Sequence, residues 1–157
     1  MKHIMRLSVL LIIPIFTASS LALSPDAEAG KALFAACNVC HDQTLDPPQG
    51  PPMWSVQRIY KRQFDDDIEL IKSMVAFVKS PSKETAIHQQ AVKHLGLMPA
   101  MPLPDDMLTK IATYILEAKF PPPCEHWKNA AKRAGAMGDS NHARKDHKMF
   151  ERFCSKQ

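Results

Sequence analysis

The most constraining feature of the sequence is the pentapeptide Cys37-Asn38-Val39-Cys40-His41. Two thiols at this spacing can each bond one vinyl group of a single porphyrin, and the adjacent histidine can supply an axial nitrogen to the iron. A thioredoxin-like redox pair needs no trailing histidine, and a zinc site needs a second ligand pair at suitable spacing. The pentapeptide therefore predicts one covalently attached haem c, bound through Cys37 and Cys40, with His41 as an axial ligand.

The N-terminal segment, residues 1–22, has the layout of a secretory signal peptide. A short basic or polar head at 2–6 precedes an apolar run at 7–16, and small residues at 20 and 22 fit a cleavage site. The apolar run is shorter than the roughly 20 residues that a spanning helix needs. We expect a periplasmic protein with no membrane span after cleavage; an uncleaved N-terminal membrane anchor is the alternative.

Proline clusters divide the rest of the chain. The sequence has 13 prolines against five glycines. They concentrate at 47–52, 99–104 and 121–123, where they indicate loops between helices. We therefore expect a main domain over 23–120 and a C-terminal extension over 121–157.

Charge differs between the two parts. Residues 23–124 carry ten Lys and Arg against twelve Asp and Glu, whereas residues 125–157 carry eight against four. A basic extension can steer docking to an acidic protein or to an anionic membrane surface. The alternative is a solvated helical face without a specific partner. Nucleic acid is not an expected partner of an exported haem protein.

Hydrophobic periodicity predicts an all-α fold. Apolar residues recur at helical spacing in several segments, and no stretch alternates with the period of a strand. Three aspartates at 65–67 suit the positive end of a helix dipole. We expect a proline-rich loop over 42–55. The predicted helices cover 26–38, 65–79, 83–94, 105–118, 125–134 and 141–153.

Over residues 26–119 the chain resembles class I c-type cytochromes. The resemblance rests on the haem-binding pentapeptide and on further residues in the family's order, namely Gly30, Phe34, Gly50-Pro51, Met98-Pro99 and Tyr114. It implies a helical fold around one haem. It also implies that the first and last helices of the domain cross, with Gly30 permitting close approach and Phe34 and Tyr114 packing there.

The same resemblance implies an axial ligand set. Pro51 matches the family's loop proline, whose carbonyl accepts a hydrogen bond from the axial histidine; the neighbouring Pro52 carbonyl is an alternative. The sixth ligand is expected to be the thioether of Met98, whose separation from Tyr114 is close to the family's. Met101 is the fallback.

Other residues near these positions are weaker candidates. His88 and His94 are further alternatives for the sixth ligand. Candidate haem-pocket walls are Met53, Trp54, Met74 and Phe77, although ordinary core packing explains them equally well. Candidate partners for the haem propionates are Arg58, Tyr60 and Lys61, for which plain solvent exposure is the alternative.

The extension carries the two remaining cysteines, Cys124 and Cys154. With the first pair taken up by haem, and in an oxidising compartment, they are expected to form a disulfide that clamps two short helices. Free thiols are one alternative. A metal site that adds His126, His142 and His147 is another.

These features favour an electron-transfer protein over an enzyme. An iron closed on both faces by His41 and Met98 has no position open to substrate, and His/Met ligation raises the reduction potential. We therefore expect a one-electron carrier that exchanges electrons with donor and acceptor proteins. The alternatives are a haem enzyme or gas sensor with an open sixth position, a module whose haem is structural, or a cytochrome subunit of a larger redox complex.

Overall fold

The computed structural model describes residues 22–155, and over that range its elements are all helices, joined by loops. The predicted all-α class is confirmed. The predicted signal peptide lies outside the described residues, apart from Ala22. No helix within 22–155 is long and apolar enough to cross a membrane. The helices are α1 (Pro25–Leu33), α2 (Ala35–His41), α3 (Met53–Gln63), α4 (Asp67–Lys79), α5 (Gln89–Leu95), α6 (Asp105–Glu117), α7 (Cys124–Ala136) and α8 (Ser140–Phe153).

Polar side chains fix the beginnings of α1 and α4. The Ser24 hydroxyl accepts a hydrogen bond from the backbone N–H of Ala27 at 3.2 Å. The Asp66 carboxylate accepts one from the N–H of Glu69 at 2.8 Å. Each cap satisfies a backbone donor that the first turn of a helix leaves without an intrahelical partner.

Helix α3 was not predicted. The prolines at 47–52 indicated a loop through residue 55, but the helix begins at Met53, directly after Pro52. Proline is tolerated at a helix start because the first N–H groups have no intrahelical acceptor. Met53 and Tyr60 are buried on one face of the helix, so tertiary packing stabilises it.

Two other predicted helices differ from the observed ones by more than two residues. The expected first helix over 26–38 is divided at Phe34 into α1 and α2, and the second part continues to His41. The expected helix over 83–94 is shorter, since α5 begins only at Gln89.

A close backbone approach joins α1 to α6 at Gly30. A Cβ atom on Gly30 would lie 1.9 Å from the backbone carbonyl oxygen of Lys110, so only glycine fits. Beside this contact the rings of Phe34 and Tyr114 lie 5.2 Å apart. At the end of α6, the Glu117 carboxylate accepts hydrogen bonds from the N–H and the hydroxyl of Ser24, both at 2.7 Å.

Helices α3, α4 and α6 complete the core. Leu70 of α4 is 1% exposed, and it packs with Met74 and with the apolar face of α6. The side-chain amide of Gln57 donates to the carbonyl oxygens of Ile115 and Ala118, at 2.6 and 2.7 Å. These bonds attach α3 to the last turn of α6, where carbonyls lack intrahelical donors.

Helices α7 and α8 form a hairpin, here called the C-terminal hairpin. Cys124 begins α7 and Cys154 follows α8; their sulfurs are joined, 2.08 Å apart. The hairpin packs on the rest of the molecule through Trp127 and Phe153, whose rings lie 5.4 and 5.0 Å from the ring of Trp54.

Gly30→Ala should lower the free energy of unfolding by about 1–3 kcal/mol, as overpacking of a tight contact does. The matched control is Gly135→Ala in α7, where an added Cβ meets nothing within 4 Å. That change should raise stability by about 0.5–1 kcal/mol, because alanine is the better helix residue. Denaturant unfolding of both variants measures the difference. Equal stability changes in the two variants would contradict the close contact.

Candidate functional site

A cavity with a volume of about 350 Å³ lies among the described residues. Its walls come from helices α2 to α6 and from the loops that precede α3 and follow α5. Most lining side chains are apolar. The size and lining fit a binding site for an apolar ligand, since small-molecule sites typically occupy about 300–1,000 Å³.

Cys37 and Cys40 both line this cavity from α2. Neither is in a disulfide. Cys37 is half-buried, and burial raises the pKa of its thiol. Three positions apart on a helix, the two thiols lie on neighbouring parts of one face. They are therefore suited to bond one ligand at two points.

His41 ends α2 and also lines the cavity. Its Nδ1 lies 2.7 Å from the Pro51 carbonyl oxygen. A carbonyl can only accept, so Nδ1 carries the proton and Nε2 keeps a lone pair. Burial lowers the pKa of the ring, although the bond to Pro51 acts in the opposite direction. The net lowering of the pKa favours the neutral imidazole, the form that binds a metal.

Gly50 allows the Pro51 carbonyl to reach His41. A Cβ atom on Gly50 would lie 2.9 Å from the carbonyl oxygen of Cys40 and 3.2 Å from Nδ1 of His41. A side chain at this position would therefore push the loop away from the histidine ring. The sequence placed Gly50-Pro51 here only through a resemblance; the contact itself gives the physical reason.

Met98 and Met101 line the same cavity, from the segment between α5 and α6. Gly96 ends α5 with a positive φ of 84°, a conformation that glycine adopts without strain. The N–H of Met101 donates to the Val78 carbonyl at 3.0 Å, which attaches the segment to α4. Both thioethers are therefore near the site.

His88 also lines the cavity, but both of its ring nitrogens are engaged. Nδ1 accepts a hydrogen bond from the N–H of Ala91 at 3.2 Å. The proton of the neutral ring is then on Nε2, which donates to the Ser55 hydroxyl at 2.9 Å. Burial is the main cause that lowers the pKa of His88. These bonds leave neither nitrogen available to a metal.

His94 lies outside the cavity lining. It is exposed, and its ring lies 6.3 Å from that of His142 in the C-terminal hairpin. Neither histidine that the sequence offered as a sixth ligand is therefore as well placed as the two methionines.

Three of the four expected pocket walls line the cavity: Met53, Met74 and Phe77. Trp54 does not line it: its ring packs edge-on against Trp127 of the hairpin at 5.4 Å, which agrees with the packing role named as its alternative. Residues from the segment around α5 also contribute to the wall, and their weak helical pattern gave little signal. They are Ala86, Ile87, Ala91, Val92 and Leu95.

The three candidate propionate partners have different positions. Tyr60 is 5% exposed and lines the cavity; burial raises its pKa to about 12. The guanidinium of Arg58 stacks 4.6 Å from the centre of the Trp54 ring. Lys61 is exposed. Only Tyr60 thus contacts the cavity.

Two histidines of the hairpin, His126 and His142, lie near the carboxylate of Asp146. Asp146 is 7% exposed, and its Oδ2 lies 3.0 Å from Nε2 of His142. Burial raises the pKa of Asp146 against the opposing effect of His142 and His126, and burial lowers the pKa of His126. Among residues 22–155, no group of three or more His, Cys, Asp or Glu side chains is arranged to hold a metal ion.

Comparison with models of known protein families, with curated proteins and with solved structures found no match for this chain.

Proposed function

We propose that the protein is an exported, monohaem c-type cytochrome of the class I type that carries one electron at a time between redox proteins in the periplasm. One observation carries the proposal: Cys37, Cys40 and His41 all lie on the wall of one apolar cavity of about 350 Å³. In that wall His41 is already oriented by the Pro51 carbonyl, at 2.7 Å.

The residues around the cavity fit a haem group. Cys37 and Cys40 supply two free thiols, and each would add across one vinyl group to form a thioether. His41 offers Nε2 as an axial nitrogen because Nδ1 is engaged with Pro51. The apolar lining would exclude water from the iron, which helps to set the reduction potential.

Met98 is the proposed second axial ligand, and Met101 is the fallback. Both line the cavity, so the choice rests on the closer agreement of Met98 with the spacing of the cytochrome family. A haem bound there would cycle between its ferric and ferrous states and so accept and release one electron. With both axial positions filled by side chains, no position is open to substrate, which favours electron transfer over catalysis.

Export follows in this proposal from the signal-peptide pattern of residues 1–22. The donor and acceptor are redox proteins that dock on this chain. The basic extension is suited to acidic partners or to a membrane-associated complex, since opposite charge steers association.

Haem attachment should depend on one cysteine pair only. The intact mass of the protein, exported by a host that attaches haem to such motifs, should include one haem that remains after acid extraction. Cys37→Ser combined with Cys40→Ser should abolish it, because both thioethers are lost. The matched control, Cys124→Ser with Cys154→Ser, should retain it, because that pair lies in the hairpin. Haem retained by the first double variant, or missing from the unmodified protein, would overturn the proposal.

Substitution of Met98 and substitution of Met101 should have different effects on the absorption spectrum. Met98→Ala should remove the absorption band of the thioether–iron bond, because only a bound sulfur produces it. Met101→Ala should keep the band and alter mainly packing, since methionine also serves as a flexible core residue. Absorption spectra of the ferric proteins measure this. The reverse result would assign the ligand to Met101.

A further inference from the structure

We propose that the C-terminal hairpin holds the haem-binding loop in place, and that Arg133 is a positioning residue that acts through Asp46 on the axial histidine. The inference rests on the proposed function. It gives the extension a role in setting the reduction potential.

The loop concerned is residues 42–52, which leaves α2 after His41 and returns to it. At its beginning the Asp42 carboxylate accepts hydrogen bonds from the N–H and the hydroxyl of Thr44, both at 2.8 Å. Near its end Gly50 packs against His41, and the Pro51 carbonyl accepts the bond from Nδ1. The position of this loop therefore determines the orientation of the histidine ring.

The hairpin contacts the middle of the loop through an ion pair. The guanidinium of Arg133, on α7, bonds the carboxylate of Asp46 across 87 positions of sequence. The two side chains are 39% and 46% exposed, so solvent screens the pair and it adds little to the stability of the fold. The pair instead holds the loop in position, because Asp46 lies midway in sequence between His41 and Pro51.

Other side chains of the loop and of α7 face each other around this ion pair. A second cavity of about 270 Å³ lies between them, lined by Gln43 and Thr44 on one side and by His126 and Asn129 on the other. The loop and the hairpin therefore face each other over several residues. Within this contact, Arg133 forms a direct bond to the loop.

The hairpin also fixes the far end of the loop. Trp54, two residues after Pro52, packs edge-on against Trp127 at 5.4 Å and Phe153 at 5.0 Å. The loop is thus attached to the hairpin at its middle and just beyond its end. The disulfide between Cys124 and Cys154 joins the two ends of the hairpin that makes these contacts.

A loosened loop should weaken the bond from His41 to Pro51. That bond makes the imidazole a stronger donor, and a stronger donor stabilises the more positive ferric iron. Loss of the Arg133–Asp46 pair should therefore raise the midpoint potential. The expected change in the ferric/ferrous equilibrium is about threefold, below the roughly 10- to 100-fold cost of mutating residues that bond a metal ligand directly.

The sign of the change separates positioning from simple electrostatics. Removal of a positive charge near the haem favours the ferric state and lowers the potential, whereas removal of a negative charge raises it. Charge effects alone therefore predict opposite shifts for Arg133→Gln and Asp46→Asn. The positioning role predicts that both variants raise the potential and that the double variant raises it no further, because the same contact is lost in each.

The test is a redox titration of the full-length, haem-loaded protein and of these three variants. The control is Lys128→Gln, which removes the same charge from α7 but breaks only an ion pair within that helix, to Glu125 at 3.8 Å. The control should lower the potential slightly or leave it unchanged. Higher potentials in Arg133→Gln, Asp46→Asn and the double variant, with the thioether band retained, would support the inference.

Two results would overturn the inference. Opposite shifts in Arg133→Gln and Asp46→Asn would show a charge effect alone, and unchanged potentials would show that the ion pair does not influence His41. In both cases a normally attached haem in the unmodified protein leaves the proposed function intact. An unmodified protein without attached haem would remove both proposals.

Discussion

The whole arrangement depends on the close approach of α1 to α6 at Gly30. Because a Cβ there would meet the Lys110 carbonyl at 1.9 Å, the two backbones can be this close only with glycine. Helix α2 continues from α1 and carries Cys37, Cys40 and His41, while α6 supplies an apolar wall of the cavity. The α1–α6 contact therefore determines where the pentapeptide faces the cavity.

A second constraint orients the histidine itself. The pentapeptide fixes which residues are adjacent in sequence, but the choice of ring nitrogen depends on a loop that returns ten positions later. The bond from Nδ1 to the Pro51 carbonyl, 2.7 Å long, leaves Nε2 as the free nitrogen. The C-terminal hairpin contacts this loop through Arg133 and the helix after it through Trp127. These contacts connect the basic C-terminal extension to the residues around His41.

Sequence patterns were sufficient to predict a helix where its apolar spacing and its start are set by neighbouring residues. Helix α6 has a regular apolar period and acidic residues in its first turn, and its observed bounds differ from the predicted 105–118 by one residue. The acidic start and apolar face of α4 were also clear, and its observed start at Asp67 differs from the predicted start at 65 by two residues. Helix α3 was missed because prolines precede it, and because its stability comes from burial of Met53 and Tyr60 rather than from local propensity.

The site was less predictable than the helices. Trp54 appeared to be a pocket wall, yet its partner Trp127 lies 73 positions away, and no local pattern indicates such a contact. The segment around α5 lines the cavity despite its weak helical signal. Met98 and Met101 both reach the cavity from the loop between α5 and α6, and no local sequence pattern distinguishes them.

The most direct test of the central claim is the response of the reduced, exported protein to carbon monoxide. A haem bound by His41 on one face and a methionine on the other should give a low-spin spectrum with a single one-electron transition. Carbon monoxide should leave that spectrum unchanged, because both axial positions are filled. A high-spin spectrum that shifts when carbon monoxide is added would show an open position on the iron and contradict the account of an electron carrier.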